Sequence, residues 1–270
     1  MKFLLKHKYL ILRRIVQIGI LACFAFGAKV FVNGNLSSAL WFDTIPLSDP
    51  FAVLQLLCAG LTVSLGVLSG TVLTGAFITL VFYALFAGRA FCAWVCPVNL
   101  IVDLAAWLRK KFSIKESRLH LPVNLRYYVL ALSLIMSVIL GTPAFESVSY
   151  IGIIQRGIIF GTAAWLSVAF VIFVVDTLIS PRATCSHFCP LGAFYSLISG
   201  FALLKIRYDF DKCSKCYGCV GVCPEKQVLS MVGKKSEFVE SGECIRCGRC
   251  VEVCNDDAIN FSILNLRSKK

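Results

Sequence analysis

The sequence predicts an all-α polytopic membrane domain of four transmembrane helices, arranged as two repeated span pairs, followed by a small cysteine-rich α+β domain. Three observations carry this. Hydrophobic residues fill 58% of the 270 positions and mean hydropathy is +0.79, well above the range of a soluble domain. Four apolar runs, about residues 9–32, 70–88, 127–146 and 158–180, each come close to the ~20 residues that a spanning helix needs. After the last run the chain writes one cysteine spacing, C-x2-C-x2-C-x3-C, twice between Cys213 and Cys254. The boundary is expected near residue 204, with the membrane part in 1–204 and the cysteine-rich part in 205–270.

The charges orient the spans. Residues 89–126 carry seven basic residues (Arg89, Arg109, Lys110, Lys111, Lys115, Arg118 and Arg126) against two acids, and short basic loops stay in the cytoplasm. The N-terminus adds Lys2, Lys6, Lys8, Arg13 and Arg14, whereas residues 33–50 hold Asp43 and Asp49 with no Lys or Arg. Both termini are therefore expected in the cytoplasm of a multi-pass protein of the bacterial inner membrane. Residues 51–69, rich in Gly and polar side chains, are expected as an interfacial or re-entrant helix on the outer side. The net charge of +12 flanks the apolar runs and so reads as topology and contact with membrane lipids, not as nucleic-acid binding. Basic residues before an apolar stretch also begin a signal peptide, but no small-residue cleavage site follows, and the first run is read as a retained span.

The two cysteine ladders are Cys213, Cys216, Cys219 and Cys223, followed by Pro224, then Cys244, Cys247, Cys250 and Cys254, followed by Asn255. This is the ligand run of a two-cluster bacterial ferredoxin, with two [4Fe–4S] clusters. The x2 spacing lets one tight turn offer three thiolates around a corner of a cube, and the fourth comes from the other run. Cys213, Cys216 and Cys219 are expected to pair with Cys254, and Cys244, Cys247 and Cys250 with Cys223. Zinc and disulfides fit less well, because zinc runs supply ligands in pairs and not as two matching quartets. The proline shapes the chain beyond the ligand and is not itself a ligand, so its replacement by Asn255 leaves both clusters expected.

A second repeat lies in the membrane part. Arg89, Cys92, Cys96 and Pro97 follow the second apolar run, and Arg182, Cys185, Cys189 and Pro190 follow the fourth, both as R-A-x-C-x-x-x-C-P. On a helix, cysteines at i and i+4 point the same way, which suits a metal-ligand pair, a further cluster or a redox dithiol, and the arginines are placed to favour thiolates. The two pairs could also converge on one site. Cysteines packing under a helix remain the plain alternative, and Cys23 and Cys58, inside apolar runs, are read that way. Clusters on the cytoplasmic side of a membrane protein need a lipid-soluble donor or a route across, and a quinol, with two electrons and two protons, fits a pair of one-electron clusters. Asp176 and Glu146 are the ionisable candidates for its proton acceptor, although both also read as interfacial residues in contact with water. His187 and His120 are candidate ligands that more simply read as solvated. Lys29 is expected to snorkel, and Lys205, Arg207, Lys212 and Lys215 to meet anionic headgroups.

The stretch Phe91 to Phe112 (FCAWVCPVNLIVDLAAWLRKKF), the loop Asn33 to Pro50 (NGNLSSALWFDTIPLSDP) and the ferredoxin tail together resemble the NapH family, the ferredoxin-type membrane subunits of periplasmic nitrate reductase systems. The cysteine motifs alone would also fit regulators of nitrous oxide reduction and accessory proteins of copper oxidases. The resemblance implies the membrane component of a quinol dehydrogenase that passes electrons toward nitrate reductase. Its implied partner is a periplasmic iron–sulfur subunit of the NapG kind, with a membrane-bound c-type cytochrome as a further candidate. A biogenesis or redox-sensing factor that handles metal through the four C-x3-C-P thiols is the alternative.

Overall fold

The computed structural model describes residues 7–26, 32–34, 38–41, 44–60, 70–114 and 121–263. Lys29 and His120, singled out above, lie outside these. Two helical stretches are long and apolar enough to cross a membrane, α1 (Lys8–Phe26) and the run Gly70–Trp94. Between them come three short antiparallel strands, β1 (Val32–Gly34), β2 (Ser38–Trp41) and β3 (Ile45–Ser48), and then α2 (Pro50–Cys58). Asp49 starts α2 as its cap, its carboxylate accepting from Phe51 N at 3.1 Å, with Pro50 in the first turn, where a missing N–H costs nothing.

The run from Gly70 is not one regular helix. It comprises α3 (Gly70–Phe82), a π-turn (Tyr83–Ala87), a 3-10 turn and α4 (Phe91–Trp94). The third and fourth expected spans are shorter than predicted. α6 (Leu125–Leu140), which follows α5 (Val98–Lys111), has 16 residues. The run 158–180 is broken into α8 (Tyr150–Phe160), which follows the short α7 (Ala144–Val148), and α9 (Ala164–Val174), which continues through a π-turn to Ile179. Gly161 causes the break. It takes φ of +69° as the helix cap, a conformation that hydropathy does not register. The described residues thus hold two helices of spanning length and three shorter apolar ones. Large apolar side chains are exposed on them, including Ile15 and Phe26 on α1, Phe77 on α3, Ile139 on α6 and Phe170 on α9, which is the surface a lipid bilayer covers.

The chain divides into two compact units, residues 1–17, 82–95 and 195–270 in one and 18–81 and 96–194 in the other. In the second unit α8 and α9 form a close hairpin, in which a Cβ on Gly157 would lie 2.6 Å from that of Trp165. α2 packs on α6 and α7. Gln55 accepts there from Phe145 N at 2.9 Å, and the Phe51 ring lies 5.9 Å from Phe145 and 5.5 Å from Phe194 on α10 (Pro190–Ile198).

In the first unit β4 (Leu204–Tyr208) is the centre of an antiparallel sheet between β5 (Glu237–Phe238) and β6 (Ile259–Ile263). α11 (Gly218–Val222) and α12 (Arg249–Val253) each follow the first two cysteines of one ladder and carry the third, Cys219 or Cys250. Ile206, Tyr208, Val228, Leu229, Met231, Val239 and Ile259 fill the core together with Cys219 and Cys250, so the ladders are folded into the hydrophobic centre. Tyr208 keeps its hydroxyl satisfied there by accepting from Gly233 N at 2.9 Å.

Candidate iron–sulfur site

The two ladders share one backbone device at their second cysteine, although Cys216 is exposed and Cys247 buried. Lys215 and Arg246, both just before the second cysteine of their ladder, have φ of +59° and +50°, and Tyr217 and Gly248, both just after it, have +54° and +76°. Left-handed non-glycine residues cost about 1–2 kcal/mol each, and here the strain wraps consecutive cysteines round one point. The Cys219 thiol has those of Cys213 and Cys254 as electrostatic neighbours, while Cys223 has Cys244 and Cys247, and Cys250 has all three of these. Burial, reinforced by these like-charged neighbours, pushes the Cys223 thiol up to about 12 and raises Cys219, Cys244 and Cys250 as well. Four buried thiolates cannot coexist without positive charge among them. An iron–sulfur core supplies that charge and the one-electron redox chemistry, and Cys223, Cys244, Cys247 and Cys250 already line one small cavity.

The first C-x3-C-P motif is docked on the second ladder. Cys92 and Trp94 pack against Ala93, Ile245 and Cys247. Trp94 donates its indole N–H to Arg246 O at 3.1 Å. The Arg89 guanidinium is buried, pairs with Glu225 at 3.0 Å, donates to Glu243 O at 3.2 Å and is an electrostatic neighbour of the Cys244 thiol. Gln227 donates to both glutamates, at 2.7 and 2.8 Å, and completes a network across the cluster cavity's rim. Arg182 forms a buried ion pair with Asp103.

Neither motif holds its cysteines as i and i+4 of one α-helix. α4 ends at Trp94 before Cys96, and Cys189 is extended (ψ 107°) beyond a π-turn Thr184–Phe188. The proline after each motif excludes the helical conformation that regular spacing assumed for the second cysteine of the pair. The repeat is nonetheless structural, since a π-turn, Tyr83–Ala87 or Val175–Ile179, precedes each arginine. Cys189, Cys185 and Cys96 are electrostatic neighbours of the buried Tyr150 hydroxyl, so three of the four motif thiols gather there while Cys92 packs beside the second ladder.

The remaining candidates have structural partners. Asp176 is buried and accepts from Thr184 N and Oγ1, both at 3.0 Å, pinning the π-turn of the second motif. Glu146 lies near Asp49, and His187 Nδ1 is 3.1 Å from Pro122 O. The expected basic patch is dispersed. Lys205 is buried on β4, Lys212 pairs with Asp209 at 3.7 Å, and Arg207 and Lys215 stack over Phe238 and Phe210. Arg246, Trp94, Glu225 and Tyr150 were missed. A bulky cation inside a tight cysteine turn and a tryptophan between two motif cysteines were the available signals.

Two matched cysteine quartets on one small sheet define a class, the ferredoxin-type iron–sulfur electron-transfer proteins. Comparison narrows it. A 4Fe-4S dicluster domain profile matches residues 205–255, and a 4Fe-4S binding domain profile matches twice, over 68–115 and 162–208, each match taking in one C-x3-C-P motif. The ferredoxin-type protein NapH of Escherichia coli is 38% identical over 95% of this chain and 90% of its own length, and that of Haemophilus influenzae is 39% identical over the same shares. The methylamine utilization ferredoxin-type protein MauN of Paracoccus denitrificans is 38% identical over 88% of this chain and 84% of its own length. No solved structure matches. The chain belongs to the NapH-type family of ferredoxin-type proteins.

Proposed function

We propose that the protein is the membrane electron-transfer component of a quinol dehydrogenase in the bacterial inner membrane, passing electrons from quinol toward a periplasmic nitrate reductase. The observation that carries this is the docking of Cys92 and Trp94, at the end of a helix of spanning length, onto the second cysteine ladder. A cluster in that ladder then lies in packing and hydrogen-bond contact with the end of a spanning-length run. Two [4Fe–4S] clusters are assigned to crossed sets, Cys213, Cys216, Cys219 and Cys254 for one and Cys244, Cys247, Cys250 and Cys223 for the other. The thiol neighbours described above support this pairing. Two one-electron clusters match the two electrons of a quinol, whose two protons go to water. Cys96, Cys185 and Cys189 at Tyr150, with Cys92, are in this reading the thiols that would hold a further redox metal or cluster.

Four spans with both termini in the cytoplasm, a membrane part in 1–204, a ferredoxin part in 205–270 and a periplasmic iron–sulfur partner of the NapG kind complete the proposal. A membrane-bound c-type cytochrome is a further partner in it. The MauN relatives, as similar as the NapH ones, support electron transfer as the shared activity and make the terminal acceptor the variable part. The test is anaerobic mixing of the purified, cluster-loaded protein with a short-chain naphthoquinol. Bleaching of the cluster absorbance on the timescale of turnover is expected, and clusters that dithionite reduces but the quinol does not would refute the quinol reading.

A further inference from the structure

Beside the second ladder lies a cavity of about 380 Å³ walled by the rings of Tyr9, Phe82, Tyr83, Trp94 and Phe261. Arg246 is the one charged side chain among its described lining residues. We propose that this cavity binds the ring of a lipid-soluble quinone or quinol, with a ring oxygen toward Arg246; the assignment of quinol as the occupant rests on the function proposed above.

Four features argue for that occupant. The volume is at the small end of ligand pockets, as a substituted bicyclic ring requires, and flat aromatic walls suit a planar guest. Phe82, Leu85 and Phe86 on the same turn are exposed, so the surroundings of the cavity are apolar surface open to a ligand dissolved in lipid. Arg246 is 4% exposed, and its donors reach Leu204 O at 2.7 Å, Ala87 O at 3.1 Å, and Ser199 Oγ and O at 2.8 and 3.4 Å. That places four of the five N–H groups of a guanidinium on the framework and leaves one for a ligand oxygen. Finally, Arg246 also lines the cavity of Cys223, Cys244, Cys247 and Cys250, so a bound ring and that thiol set share one wall. Gly88 makes the approach possible, since a Cβ there would sit 1.8 Å from Arg246 Nη1. A lipid acyl chain, the other apolar occupant at hand, gains little from ring faces and would leave the remaining N–H unpaired in an apolar chamber.

The experiment uses the full-length, cluster-loaded protein in phospholipid nanodiscs, photolabelled with an azido-1,4-naphthoquinone and mapped by mass spectrometry. Adducts are expected in residues 82–95 and 246–261, competed by 2,3-dimethyl-1,4-naphthoquinone and not by added phospholipid. Ala90→Phe and Ala87→Leu each add bulk to the lining and should cut labelling there about tenfold or more, the scale set by bulk added to a fitted apolar pocket, with the EPR signal of the dithionite-reduced clusters retained in at least one of them. Adducts elsewhere, competition by phospholipid, or undiminished labelling in a variant that keeps its clusters would overturn the assignment. Naphthoquinol reduction of the wild-type clusters, read in the same nanodiscs, separates the two claims. Reduction with adducts elsewhere removes the cavity and leaves the quinol reading standing. Adducts in the cavity without reduction remove the quinol reading and leave the binding site.

Discussion

At the scale of single residues, Cys223 is the sharpest test of the crossed ligand sets. Cys223→Ala should lose the cluster held by Cys244, Cys247 and Cys250 and spare that of the first ladder, halving iron content and leaving one of two EPR signals. Loss confined to the first ladder's cluster would refute the crossing. The buried pair of Arg89 and Glu225 gives a second prediction. Arg89→Leu leaves the Glu225 carboxylate without its cation and should destabilise the ferredoxin unit by about 3–5 kcal/mol, whereas Arg89→Leu with Glu225→Leu should recover most of that. Thermal bleaching of the clusters in both variants measures it, and equal losses would assign the cost to the arginine's packing alone. The two ladders were legible as a candidate cluster site because cluster chemistry dictates such a spacing. The partner of Arg89 was not, because it lies 136 residues away and no local pattern encodes such a contact.

At the scale of elements, hydropathy located α1, α3, α6 and α9 but not α8, most of which falls between the third and fourth expected spans, and it misjudged where α6 stops. Gly141 and Gly161 end α6 and α8 through left-handed caps inside runs that stay apolar, and a running average cannot see one dihedral angle. The C-x3-C-P repeat was visible as sequence, but its i, i+4 geometry was not kept, since each proline pushes the preceding cysteine out of the helix. The thiols themselves remain testable. Cys92→Ser, Cys96→Ser, Cys185→Ser and Cys189→Ser should retain both ferredoxin clusters yet slow quinol-dependent electron flow at least about tenfold, with membrane abundance unchanged. If the cysteines only pack, each serine instead costs about 1–3 kcal/mol as an unsatisfied hydroxyl and lowers abundance without a selective loss of flow. The spread of three thiols to Tyr150 and one to the second ladder predicts a particular pattern, in which Cys92→Ser alone also shifts the EPR line shape of the second ladder's cluster.

For the whole molecule, the positive-inside pattern predicts that a reporter fused after Lys270 is cytoplasmic and that an impermeant thiol reagent added from the periplasm does not label Cys92 or Cys189. Labelling of either would overturn the four-span topology. The ferredoxin module was recognisable from the tail alone, but its union with residues 1–17 and 82–95 in one compact unit was not, since it depends on contacts such as the 3.1 Å bond from Arg246 to Ala87 O, 159 residues apart. That contact bears on biogenesis. Gly88 and its turn emerge from the ribosome long before Arg246 is translated, so the receptacle waits, unfilled, for a tail that must first fold round its own ladders. If the tail folds only round its clusters, cluster delivery would then precede closure of the Gly88 turn. A cell short of iron would accumulate inserted chains whose turn at Gly88 is still open, and those chains are the ones a membrane protease would find first.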